Sequence, residues 1–142
     1  MSLRYRTEAI NSDGGTGTAR VTEGIAVPVA SPLSADPDPQ ASNPEQLLAL
    51  AWSTCLNATA QSLVKRERRT AVRIEVGLHD AEPGPGYEFH VDTYLSAEGL
   101  SLAETEELLA AAHARCPVSK LLHAASTVRV HAEEFSAVRS GS

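Results

Sequence analysis

Cysteine, aromatics and clustered charge are all scarce in this 142-residue chain, and each scarcity narrows the field. Two cysteines are too few for a disulfide scaffold, so the fold must rest on a buried core. One domain spanning residues 1–142 is large enough to supply it. With one Trp, three Tyr and two Phe, stacking platforms for bases are poorly supplied. A net charge of −6, with Lys and Arg gathered only at residues 65–69, argues against a nucleic-acid partner. The opening stretch MSLRYRTEA lacks the apolar segment of a secretory signal, so the expected location is the cytoplasm, with reduced thiols.

What is present is organised around residues 43–69, NPEQLLALAWSTCLNATAQSLVKRERR, which read as one long buried helix. Asn43 is a cap, Pro44 suits the first helical position, and Gln46 stands where a capping box places its glutamine. No charge occurs from Gln46 to Val64, and the apolar residues are not confined to one stripe, which predicts burial on most sides. Polar Ser53, Thr54, Asn57, Thr59, Gln61 and Ser62 interrupt the run and argue against a membrane span. The cations of residues 65–69 would end the helix where its dipole favours them.

Ahead of this helix, residues 3–10 alternate as a strand, and turn chemistry at 11–17 and at Glu23-Gly24 joins them to strands at 18–22 and 25–30. The proline-rich segment 32–42 reads as an extended connection. Beyond the helix, strands at 71–79 and 87–95 flank the turn DAEPGPG. Ser101 and Glu104 form a capping box for a helix ending near Arg115, and Cys116-Pro117 starts a short second helix. A strand at 127–135 closes an antiparallel α+β fold of order β-β-β-α-β-β-α-α-β.

The chemistry gathers at Cys55 and Cys116. A two-thiol enzyme needs one thiol that attacks and a second close enough to trap the sulfenic acid as a disulfide. Taken singly, Cys55 is better explained as a small hydrophobe on a buried helix than as a nucleophile. Cys116 is the more suggestive, because a cap position and the neighbouring Arg115 both favour a thiolate. Cys55, Cys116, His113 and His123 are also ligand types for a metal, although His113-x-x-Cys116 lacks a second close pair.

NPEQL, followed ten residues after Glu45 by Cys55, and CPVSKLL at Cys116 leading into an apolar terminal strand, resemble the OsmC and organic hydroperoxide resistance superfamily over the whole chain. The resemblance implies antiparallel sheets on a long central helix and an intertwined homodimer with active sites at the subunit interface. It implies a cysteine-based peroxidase that reduces organic and fatty-acid hydroperoxides, with no bound cofactor or metal and a lipoyl-type dithiol or lipoylated protein as reductant. By it Cys55 is the peroxidatic thiol, Cys116 the resolving one, and Glu45 the carboxylate that orients an arginine beside the thiolate. Trp52, Leu48 and Leu56 would make an apolar pocket for the substrate, although core packing accounts for Trp52 as well. The family's arginine lies in the glycine-rich turn after the first strand, and here that turn, DGGTG at 13–17, has none. Arg20 is the candidate replacement, with Arg4 and Arg6 behind it. The gap keeps a second reading open, a non-catalytic relative that binds an apolar ligand or acts in thiol regulation.

Overall fold

The computed structural model describes residues 2–136. These fall into two compact units, up to Leu47 and from Leu48 onward.

In the N-terminal unit, β1 (Ala9–Asn11), β2 (Gly17–Val21) and β3 (Ala26–Val29) form an antiparallel sheet in that order. The first strand is shorter than its alternation predicts. Only its end pairs, Ile10 standing opposite Arg20, while Leu3 and Tyr5 remain 70% and 79% exposed. Alternation marks a strand, but pairing requires a neighbour, and residues 2–7 have none within the sheet. The β1–β2 turn is built by side chains: Asn11 Oδ1 accepts from the N–H groups of Asp13 and Gly14, and Asp13 Oδ2 accepts from that of Thr18. Gly17 is required there, because its φ is +138° and a Cβ would stand 2.5 Å from that of Asp13.

The segment after β3 is a connection that returns to its origin. Ser42 donates its N–H to Pro28 O and accepts from Ala30 N–H, forming an isolated parallel bridge with Val29. Asn43 then caps α1 (Pro44–Leu63), its Oδ1 accepting from Gln46 N–H at 2.8 Å. The Gln46 side chain accepts from the Ser42 hydroxyl at 3.1 Å, so the reciprocal half of the cap involves the preceding serine.

In the second unit α1 ends at Leu63, six residues before Arg69. Lys65 and Arg66 adopt left-handed conformations, φ 57° and 59°, and Arg66 N–H reaches back to Gln61 O in a 6→1 closure. The basic residues therefore form a turn. No glycine marks this stop in the sequence. Burial of α1 is also narrower than expected: Trp52, Leu56 and Ala60 make one fully buried stripe, while Leu50, Ala51, Thr54 and Ala58 are exposed. A stripe at i, i+4, i+8 is what one covering layer can bury.

That layer is a second sheet, β4 (Thr70–Asp80), β5 (Tyr87–Ala97) and β6 (Val128–Ala132), in that order. β4 and β5 form a long antiparallel hairpin with Val76 opposite Val91. β6 pairs parallel to β5, departing from a wholly antiparallel arrangement. Helices α2 (Leu102–Arg115) and α3 (Pro117–Leu122) intervene and bring the chain back to the end where β5 began. Val91 and Leu95 of β5 meet Trp52, Leu56, Leu109, Ala112 and Cys116 in the core. The opposite face is polar: Arg73 pairs bidentately with Glu133 and lies over the Tyr94 ring, which stacks on His131.

Candidate active site

Cys116 is placed by the residues on either side of it. Ser101 Oγ accepts from Glu104 N–H and Glu104 returns the bond to Ser101 N–H, completing the capping box that starts α2. Thr105, Leu109 and Ala112 form its buried face, and the same side continues to Cys116. Pro117 disfavours a helical conformation in the residue before it, and Cys116 is accordingly extended, φ −64° and ψ 123°. Cys116 thus ends α2 and caps α3. Its Sγ accepts from Ser119 N–H at 3.5 Å, and the residue is fully buried. Arg115 beside it is exposed.

Cys55 approaches the same spot from α1. Both cysteines are free thiols, and Cys55 is half-buried. Burial pushes the Cys55 thiol up, the backbone N–H of Val118 pulls it down, and the Cys116 thiol pushes it further up through a hydrogen bond and through charge. The net direction is upward. Cys55 therefore carries less thiolate at neutral pH than a free cysteine. A cysteine in mid-helix gets little from its own helix ends, but here it is presented to a backbone N–H of the first turn of α3. Nothing in the local sequence of α1 announces Val118 as a partner.

A second tie lies beside the thiols. Trp52 Nε1 donates to Ser119 Oγ at 2.9 Å, both residues fully buried. Trp52 and Leu56, read from sequence as pocket residues, are both core residues with no exposed surface, and Leu48 packs partly buried against that core. His113 lies near Trp52, ring centroids 6.5 Å apart, and its buried Nδ1 has no hydrogen-bond partner among the described residues. Desolvation, then the charge of His123, pushes its pKa down. Among the described residues, no three His, Cys, Asp or Glu side chains stand together as metal ligands.

Glu45 and Arg20 belong to the N-terminal unit. Glu45 is half-buried in the first turn of α1, and Arg20 is exposed on β2 between Ile10 and Ala26. In the glycine-rich turn the ionisable side chain is Asp13, engaged with Thr18.

Two facing thiols, one half-buried and one buried, can pass between dithiol and disulfide. Comparison with known proteins gives the family. The OsmC-like protein family model matches residues 37–131. An organic hydroperoxide resistance protein-like 1 from Staphylococcus epidermidis is 30% identical over 139 residues, covering 94% of this chain and 98% of its own. The organic hydroperoxide resistance protein OhrA of Bacillus subtilis is 37% identical over 84 residues, 57% of this chain and 60% of its own. In three dimensions, an organic hydroperoxide resistance protein OsmC from Legionella pneumophila superposes with a TM-score of 0.79 at 26% identity, covering 95% of this chain and 100% of that one. With matching architecture, the family model over two thirds of its length and a relative spanning nearly all of it, the chain belongs to the OsmC-like family.

Proposed function

We infer that the protein is a thiol peroxidase for organic hydroperoxides. The observation that carries this reading is the juxtaposition of Cys55 and Cys116, 61 positions apart in sequence, as free thiols that interact directly. The names of the Staphylococcus and Bacillus relatives support the substrate class.

In the cycle, the Cys55 thiolate attacks the distal oxygen of the hydroperoxide. An S–O bond forms, the O–O bond breaks, and the alkoxide leaves as alcohol with a proton from solvent. Cys116, as thiolate, then attacks the sulfenic sulfur; the S–S bond forms and hydroxide departs as water. A dithiol of the lipoyl type, free or carried on a protein, restores the pair by two exchanges and is itself oxidised. Cys55 and Cys116 are the reacting residues, and no bound cofactor enters. Glu45, through an arginine, would orient the thiolate. Arg20 is the first candidate for that arginine, since residues 13–17 hold none. Of the apolar set, Leu48 alone keeps exposed surface, and in this reading it is the side chain that meets an organic substituent.

The working unit is a homodimer. Leu3, Tyr5, Ile10 and Ile25 in one unit, and Leu50 in the other, are each at least 59% exposed. Side chains of this kind, repeated on both units, are cover awaiting a second copy. A monomer by light scattering at micromolar concentration would overturn this part.

The reading is tested by adding a limiting amount of cumene hydroperoxide to the fully reduced protein and following free thiols and peroxide together. Loss of two thiols with peroxide consumption, abolished in Cys55→Ser, is the expected result. Survival of both thiols in excess peroxide overturns the peroxidase reading and favours the ligand-binding or thiol-regulating alternative, which the raised Cys55 thiol and the missing arginine already favour.

A further inference from the structure

Two helices that carry the reactive thiols are joined at two points with the same spacing. On α1, Trp52 precedes Cys55 by three residues; on α3 and its cap, Ser119 follows Cys116 by three. Residues three apart share a helix face. One attachment is the meeting of the thiols. The other is the buried bond from Trp52 Nε1 to Ser119 Oγ, 2.9 Å long. Ser119 serves both, because its own N–H donates to Cys116 Sγ at 3.5 Å. One side chain therefore links the indole of α1 to the sulfur-bearing turn of α3.

We propose that Ser119 and Trp52 are positioning residues that hold the Cys116 sulfur within bonding reach of Cys55, setting the effective concentration of the second thiol. A disulfide confines its Cα atoms to about 4.4–6.8 Å, a narrow range for two separate helices to hold unaided. A tie formed before oxidation removes the freedom that closing the S–S bond would otherwise have to remove. The inference deepens the peroxidase reading by assigning the control of its resolving step, and its thiol equilibrium is measurable without peroxide.

The simpler role for Ser119 is to satisfy the buried indole N–H, which stabilises the fold and leaves the thiols alone. The two roles separate in a glutathione redox buffer. The equilibrium constant for the Cys55–Cys116 disulfide is measured in the wild type, Ser119→Ala, Trp52→Phe and the double variant, which removes both ends of one bond. The expected result is a fall of about tenfold in each single variant, the order of one hydrogen bond, and no further fall in the double. A second arm gives each reduced protein one equivalent of cumene hydroperoxide and traps sulfenic acid with dimedone, the variants being expected to accumulate more adduct at Cys55. An equilibrium constant unchanged within about twofold in both single variants, or effects that multiply in the double, overturns the proposal. If the wild type consumes no hydroperoxide, it is the peroxidase reading that fails, and the glutathione equilibrium still decides the positioning role.

Discussion

The thiol of Cys55 meets that of Cys116 at the first turn of α3, where the backbone N–H of Val118 faces one sulfur and that of Ser119 the other. Within the second unit, helix α1 and the cap of α3 thus share a single patch of backbone donors. Burial and Cys116 nevertheless outweigh Val118 and keep the Cys55 proton on.

Reactivity of Cys55 is therefore expected to climb with pH from neutrality through the ordinary thiol range near about 8.5. Iodoacetamide alkylation followed by mass spectrometry checks this, and Cys116→Ala, by removing two of the upward influences, should shift the midpoint to lower pH. Linkage has the same sign: the unfolded chain loses this proton first, so stability from this group is present below the unfolded value and declines as pH rises through the folded one. A plateau of alkylation already reached at neutral pH would contradict the balance described.

His113 supplies the opposite case. Its pKa is pushed down in the folded protein by desolvation and by His123, so the unfolded chain takes up the proton first as pH falls below about 6.5. Stability from this group is present above that value and declines below it. His113→Leu removes the buried Nδ1 that has no hydrogen-bond partner among the described residues and should stabilise by about 1 kcal/mol, more at acidic than at alkaline pH. Urea unfolding at about pH 5.5 and about pH 8 measures both the gain and its slope.

Leu95 tests the core of the second unit. It is fully buried on β5 among the residues that surround Trp52 and Leu56. Leu95→Ala should cost about 3 kcal/mol, through lost apolar burial and the cavity left behind. A loss below about 1 kcal/mol by denaturant titration would mean that the site collapses freely.

Ser101 tests the element that delivers Cys116. Its hydroxyl and the Glu104 carboxylate satisfy each other's backbone N–H groups at the start of α2. Ser101→Ala should lower stability by about 1 kcal/mol, whereas Ser101→Gly loses only a few tenths. Thermal melts of the two variants side by side distinguish loss of the cap from loss of side-chain packing.

Local signals made most of the elements legible. Each helix start was marked by its cap, at Asn43, Ser101 and Cys116, because capping is settled by residues within one turn of each other. The β4–β5 hairpin was equally plain, since alternation and a proline-glycine turn act over neighbouring residues. The end of α1 was not: two left-handed residues, Lys65 and Arg66, take the place of the glycine that usually marks a stop. Nor was the length of β1, which depends on what lies beside residues 2–7 rather than on their alternation.

At the site the division is the same. The sequence by itself determined the local setting of each cysteine: a thiol inside a helix, and a thiol extended by the proline that follows it. That Cys55 answers to Val118 and Cys116, that Trp52 bonds Ser119, and that His113 Nδ1 is buried without a hydrogen-bond partner among the described residues were decided by tertiary structure alone. The reason is physical. Periodicity, capping and proline geometry are short-range and written in adjacent residues, whereas a thiol's acidity and a buried hydrogen bond depend on groups that approach only when separate helices pack.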